Sequence, residues 1–254
     1  MPDSLFGSSD DEIDDEQAHA GATEPGSEAS EPAVVVASTV CPPIPGLYIL
    51  RQAIPTDVQQ QLVLDLSERV WPGRTDQVMV FTSEERPLLP DYLRPFLDAL
   101  PSALASLPAD VQSVILESNR PQQAILNLYQ PGQGISSHVD LPDRYEDGIV
   151  GLSLLTSTVM EFRHVSDPSS EEQPSGSQPP RTPPTYAVRL RPGDLYVLSG
   201  DARWKWSHGI PYRTEDLVQD ETGGPVRVLR GVRMSVTLRR MKQGADVIGQ
   251  HGAS

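Results

Sequence analysis

Gln123-Ala-Ile-Leu-Asn-Leu-Tyr129 is the stretch that decides the fold class. Ala124, Leu126 and Leu128 alternate with Ile125, Asn127 and Tyr129, which is the period of two expected of a strand with two distinct faces. Upstream the apolar spacing is helical. Val58, Leu62, Leu66 and Val70 mark one face of a helix that begins near Pro55-Thr56-Asp57, with Thr56 as the expected N-cap, and stops at Trp71-Pro72-Gly73. A second helical stretch covers about Pro90 to Ala105, and Pro101 is expected to break it into two short helices. Leu47 to Leu50 reads as a short strand. Downstream, strand-like runs cover Ile149 to Leu155, Thr158 to His164, Tyr186 to Leu190, Asp194 to Ser199 and Val232 to Arg239. Turn signals such as Pro131-Gly132 and Pro192-Gly193-Asp194 separate them. Helices followed by many short strands predict a mainly β fold with flanking helices, a barrel or jelly roll packed on one side by α-structure.

The 254 residues suffice for one domain plus some tail. Residues 1 to about 43 are rich in Ser, Asp, Glu, Ala and Pro. They bury too little apolar surface to offset ordering entropy, so a disordered acidic tail is expected. Leu5 and Phe6, beside the run Asp10 to Glu16, are the place in that tail where a protein partner would dock. The domain is expected over residues 44–242, with a flexible Ser-, Pro- and Glu-rich insert at 166–184 and a polar tail at 243–254. Removing the first 45 residues, which hold no base, leaves 25 of the 35 acids against all 20 bases. So mild an acidity, with no basic footprint, counts against tight non-specific binding to nucleic acid. Cys41 is the single cysteine, which excludes an internal disulfide. No apolar run is long enough to span a bilayer, and no basic region precedes an apolar stretch at the N-terminus. A soluble monomer of the nucleus or cytoplasm, without a membrane partner, is expected.

His138-Val-Asp140 places an imidazole and a carboxylate two residues apart, on one side if the segment is a strand. A second histidine would complete a facial triad with open positions for oxygen and a chelating co-substrate. Of the five histidines, His19 lies in the tail, His251 near the polar end, and His164 beside the insert. His208 follows Trp204 and Trp206 in alternation and is the best third ligand. Taken alone, a His-x-Asp pair is more often accidental than functional. The run Arg233-Met-Ser-Val-Thr-Leu-Arg239 adds to it. Arg233, Ser235, Thr237 and Arg239 fall on one face; Met234, Val236 and Leu238 fall on the other and can pack on the helices. Two arginines bending inward suit a dicarboxylate, because each guanidinium donates two parallel hydrogen bonds to a carboxylate. The bland alternative is an exposed strand face with solvated charges.

These segments together resemble the AlkB-like family of iron and 2-oxoglutarate dioxygenases. The matching pieces occur in order: Asn127-Leu-Tyr129-Gln-Pro-Gly132 with His138-Val-Asp140; Ile149-Val-Gly-Leu-Ser-Leu154 with Val159-Met-Glu-Phe162; Gly193-Asp-Leu-Tyr-Val-Leu-Ser-Gly200 with Ala202-Arg203 and Trp206-Ser-His208-Gly-Ile210; and Arg230-Gly-Val-Arg233 through Arg239. The resemblance covers about residues 44 to 242. It implies a double-stranded β-helix, Fe(II) held by His138, Asp140 and His208, and 2-oxoglutarate and dioxygen as co-substrates. It further implies that Arg233, helped by Tyr129, pairs with the distal carboxylate of 2-oxoglutarate, and that Arg239 and Asn127 lie near the carboxylate that chelates iron, with Ser235 between the arginines. Tyr145-Glu-Asp-Gly-Ile-Val-Gly-Leu-Ser-Leu154 looks most like the branch that modifies the tRNA wobble uridine. One departure is Pro142, at a position where bacterial repair members carry an acidic residue that contacts the damaged base; Asp143 and Arg144 are the neighbours that would substitute.

The implied reaction is hydroxylation of a substrate C–H bond coupled to decarboxylation of 2-oxoglutarate to succinate; on an N-methyl group the product collapses to formaldehyde. Nucleic acid, as tRNA or alkylated DNA or RNA, is the first expectation for the substrate. A protein side chain is the second, which the acidity of the domain favours slightly. A non-catalytic scaffold is the third, and the intact triad and both arginines speak against it. By the resemblance, Trp71, Phe81 and Tyr92 fall in the family's lid region and are candidates to stack on a flipped base, although ordinary core packing is the favoured reading for them.

Overall fold

The computed structural model describes residues 35–73, 77–83, 85–116, 122–165 and 184–243. Residues 1–34, most of the 166–184 insert and residues 244–254 lie outside them, and so do Leu5, Phe6 and the acidic run. The first elements are β1 (Leu47–Leu50), α1 (Thr56–Arg69), β2 (Gln77–Phe81), a 3-10 turn (Asp91–Leu93), α2 (Arg94–Ala103) and α3 (Ala109–Leu116). Then come β3 (Gln122–Tyr129), β4 (Ile135–His138), β5 (Ile149–Leu154), β6 (Thr158–His164), β7 (Thr185–Leu190) and β8 (Leu195–Leu198). The last are α4 (Gly200–Trp204), β9 (Trp206–Ile210), β10 (Glu215–Gln219), β11 (Pro225–Leu229) and β12 (Arg233–Arg240).

Six strands form a major sheet in the order β1-β8-β5-β12-β3-β2, and four form a minor sheet in the order β4-β9-β6-β7. Neighbours pair antiparallel throughout. This is the two-sheet arrangement of a double-stranded β-helix, with a separate β10-β11 hairpin.

Alternation decides what each face of the major sheet does. Ala124, Leu126, Val150, Leu152, Leu195, Val197, Met234, Val236 and Leu238 point outward into one apolar cluster with Leu62, Leu66, Phe96 and Leu100 of the helices. The opposite face carries Asn127, Tyr129, Tyr196, Arg233, Ser235, Thr237 and Arg239 toward the minor sheet. A second cluster, with Phe162, Leu190, Tyr196, Leu198, Trp206 and Ile210, closes the space between the sheets. The outer cluster supplies the apolar burial, and this frees the inner face of β12 to carry charge.

Several expectations change. Pro55, not Thr56, holds the N-cap of α1, and no side chain caps it; Thr56 is the first helical residue. Pro101 sits inside α2 without breaking it. It falls in the last turn, where its missing N–H costs only the bond to the Leu97 carbonyl, while Phe96 and Leu100 stay buried. Among the described residues, packing onto the sheets begins before residue 44. Ala37 is fully buried and bridges Val218, and Ser38 bridges Val188. This strap satisfies backbone groups at the open edge of β7, with Ser38 N–H donating to Ala187 O and Arg189 N–H donating to Ser38 O. No helix among the described residues is long and apolar enough to cross a membrane.

Candidate active site

Register places the two histidines. β4 pairs with β9 so that His138 stands directly opposite His208, and Phe162 of β6 flanks His208 on the other side. The imidazole centroids lie 4.7 Å apart. Gly209 lets these strands close: a Cβ there would stand 2.8 Å from Ser137 Cα. Trp206 shares the face of His208, as alternation predicts, but Trp204 belongs to α4 and is 37% exposed.

Asp140 reaches the site by a different route from the one expected. β4 ends at His138, so Asp140 is not the next residue on a strand face. The segment after it is pinned from outside by Arg203, whose side chain is almost wholly buried. Arg203 Nη1 donates to Asp140 O (2.9 Å), Nη2 to Tyr145 O (3.1 Å) and Leu141 O (3.4 Å), and Nε to Glu146 O (3.2 Å). The Trp204 ring backs this guanidinium at 4.1 Å. Asp140 is thereby turned inward and is 3% exposed.

One ligand atom from each of His138, Asp140 and His208 lies within 4.8 Å of the others. The donor set suits a divalent iron. His138 Nδ1 lies 2.8 Å from Ser136 O, a pure acceptor, so Nδ1 carries the proton and Nε2 keeps the lone pair. Asp140 Oδ1 lies 2.5 Å from Arg239 Nη2, yet neither carboxylate oxygen has a hydrogen bond of good geometry, although both are buried. Two neutral nitrogens and one carboxylate on one side of an ion leave its other positions open.

His208 is held neutral. Burial pushes its pKa down from 6.5 to about 4, against the pull of Asp140. The unfolded chain binds a proton here near pH 6.5 and the folded one only near 4, so in that window the unfolded state holds more protons. Stability from this group is therefore full above pH 6.5 and is lost as pH falls toward 4. For metal-free protein the loss is expected to be on the order of 3 kcal/mol. Urea unfolding at pH 7 and pH 5, which spans about 2 kcal/mol of this loss, reads it as the difference between the parent and His208→Gln; identical pH dependence in both would exclude His208 as the source.

The other half of the cleft comes from the major sheet. Arg233 is 4% exposed. Its Nε donates to Ser153 Oγ (3.1 Å), its Cζ lies 5.2 Å from the Tyr129 ring centroid, and Nη1 is buried without a partner. Ser235 pairs with Asn127 on one side and Ser153 on the other. Asn127 Oδ1 accepts from Gln77 Nε2 (2.7 Å), which leaves the Asn127 amide free to donate inward. Arg239 lies over the Tyr145 ring at 4.7 Å.

The structure therefore brings seven of the eight expected residues to line one cleft, and the eighth, Asp140, lies within 4.8 Å of the two histidines. It does not bring the stacking candidates there. Trp71 is buried in the helix-side core and Tyr92 packs against it, as favoured. Phe81 is half-buried along a separate groove with Met79 and Leu88. His164 packs edge-on against Trp206 instead. Sequence reasoning missed Arg203, Gln77, Tyr145 and Tyr196 as parts of the site. For Tyr196 a signal existed: it alternates between Leu195 and Val197, which are core residues.

Comparison with known proteins agrees with this geometry. Residues 49–239 match the family model of the 2OG-Fe(II) oxygenase superfamily, and the chain belongs to that superfamily. Within it the chain is an AlkB-like, 2-oxoglutarate-dependent dioxygenase, whose family chemistry uses Fe(II), 2-oxoglutarate and dioxygen. It is 28% identical over 200 residues to an uncharacterized protein of Acanthamoeba polyphaga mimivirus, covering 77% of this chain and 85% of that one. It is 35% identical over 136 residues to the tRNA (carboxymethyluridine(34)-5-O)-methyltransferase ALKBH8 of Macaca fascicularis, covering 49% of this chain and 18% of that protein. It is 28% identical over 225 residues to the alkylated DNA repair protein ALKBH8 homolog of Arabidopsis thaliana, covering 78% of this chain and 59% of that one. The chain thus spans less than two thirds of the length of both ALKBH8 relatives.

Proposed function

We propose that this dioxygenase hydroxylates or oxidatively demethylates a nucleic-acid base, in tRNA or in alkylated DNA or RNA. The observation that carries the reading is the meeting of the His138-Asp140-His208 cluster on the minor-sheet side with the unpartnered Arg233 Nη1 on the major-sheet side of one cleft. The names of the macaque and Arabidopsis relatives support tRNA and alkylated DNA as substrate classes.

On this reading His138, Asp140 and His208 hold Fe(II). When bound, the iron and 2-oxoglutarate supply dioxygen activation and a two-electron oxidation of a substrate C–H bond, with succinate and carbon dioxide as co-products. The chain's own residues bind, orient and exclude water. Arg233 takes the distal carboxylate of 2-oxoglutarate, helped by Tyr129, and Asn127 and Arg239 hold the carboxylate at the metal end. Arg203 fixes Asp140. A base must be unpaired or flipped to reach such a cleft. A second reading, oxidation of a protein side chain, draws support from the domain's excess of acids over bases, which opposes polyanion binding.

Nucleoside profiling of tRNA and DNA from cells lacking the protein tests the two. Accumulation of one methylated or under-hydroxylated nucleoside, reversed by the parent gene and not by His138→Ala, is the expected result. Unchanged nucleosides together with an altered protein modification would overturn the nucleic-acid reading in favour of the second.

A further inference from the structure

Trp204 differs from the other two tryptophans. Trp71 and Trp206 are 5% and 8% exposed, whereas Trp204 keeps 37% of its surface in water. The Arg203 guanidinium closes one face of its ring at 4.1 Å. The exposed area therefore belongs to the other face and the edge, which the backing of Arg203 does not use. The ring also lies beside the candidate metal centre. Arg203, beneath it, reaches the carbonyls of Asp140, Leu141 and Tyr145, and Leu141, the residue after Asp140, is 58% exposed.

Cations border this surface. Lys242 Nζ lies 5.7 Å from the Trp204 ring centroid. Lys242 N–H donates to Arg144 O (2.9 Å), which brings Arg144 to the same edge. Lys205 follows Trp204 in sequence, and Asp201 pairs with it at 2.9 Å. Asp143 and Glu146 lie on the loop of Arg144, so the patch is close to neutral. Charge alone would not hold a polyanion there, nor would the acidic domain as a whole. A nucleic-acid substrate needs a grip of another kind. An indole face in water beside cations supplies it, because a base of any type stacks on the ring while a cation meets its phosphate.

We propose that Trp204 is a stacking platform for an unpaired nucleotide flanking the one that enters the cleft, with Lys242 on its phosphate. The proposal rests on the nucleic-acid reading above. It gives the strand a second point of attachment outside the cleft, and two points fix the direction in which the strand runs.

The test is titration of the full chain with a short single-stranded oligodeoxynucleotide of mixed sequence, followed by tryptophan emission. It is repeated with an abasic strand of the same length, which keeps the phosphates and lacks the bases. The base-bearing strand is expected to quench the emission, since Trp204 is the exposed tryptophan, and to bind about tenfold more tightly than the abasic one, the worth of one stacked base. Trp204→Leu is expected to remove both the quenching and the preference, and Trp204→Phe, which keeps a ring on the guanidinium, to retain most of the preference. Lys242→Ala, whose side chain lies outside the Arg203 hydrogen bonds, should lower the slope of log affinity against log salt by about 0.7. Binding by the parent without quenching overturns the proposal before any variant is made. Trp204→Leu that binds the strand as the parent does, with weaker Fe(II) binding, would reduce the ring to a cover for Arg203 and overturn it too. In both cases the nucleic-acid reading stands. A parent that binds neither strand takes down that reading and the proposal together.

Discussion

His138→Ala is expected to lower 2-oxoglutarate-dependent succinate formation by more than about 100-fold, since the loss of outer-shell partners of metal ligands alone costs 10- to 100-fold. The expectation follows from register. His138 faces His208 across β4 and β9, and its Nδ1 is already committed to Ser136 O, so the side chain has one free lone pair and one direction. Removing it leaves His208 Nε2 and Asp140 Oδ2, 3.6 Å apart, as two ligands where three stood. The fold should survive, because His138 is only half-buried and ends a four-residue strand. Succinate release and Fe(II) binding measured on the same preparation check the claim. Parent-level succinate from His138→Ala with its iron content intact would remove His138 from the metal site.

Arg203→Met carries the second large effect, and on two quantities at once. Four contacts join this side chain to the carbonyls of residues 140, 141, 145 and 146. Methionine keeps much of the volume but offers these buried carbonyls no donor, although Leu141 O keeps the N–H groups of Arg144 and Tyr145. Each buried carbonyl that loses its donor costs about 1–3 kcal/mol, so a stability loss of several kcal/mol is expected. The same change frees the segment that aims Asp140, so Fe(II) affinity is expected to fall 10- to 100-fold. Chemical denaturation and metal titration give the two numbers. Arg203→Lys should recover little of either, because a single ammonium cannot span the four carbonyls as a guanidinium does. A stable Arg203→Met protein with unaltered iron affinity would show that the loop holds its own shape.

Much of this site was legible in sequence because it lies on regular alternation. β12 repeats charge and apolar residues over seven positions, and the structure sends Met234, Val236 and Leu238 to the helices and the arginines to the cleft. β3 behaves in the same way. Where pairing partners are distant or burial is slight, the pattern was silent. β11 is mostly exposed, so no apolar period marks it. Ala37 is a small residue whose burial depends on bridging Val218, 181 positions later. Arg203 is a lone arginine whose partners are main-chain carbonyls of another loop, and carbonyls leave no trace in composition. Asp140 joins the two histidines by a route the sequence does not show: a strand was expected to aim it, and the Arg203 guanidinium holds its segment instead.

β12 is the last strand described, yet it lies in the interior of the major sheet, between β5 and β3. Arg233 follows His138 by 95 residues, on the order of ten seconds of ribosomal synthesis. On the proposed assignment, the nascent polypeptide in that interval would hold His138, Asp140 and then His208 but not the arginine proposed to seat the keto acid, and β3 and β5 would have nothing between them. A half-made molecule that meets iron and oxygen therefore lacks the anchor needed to start an oxidation. On that reading, insertion of the central strand would supply the co-substrate anchor in the same event that completes the sheet.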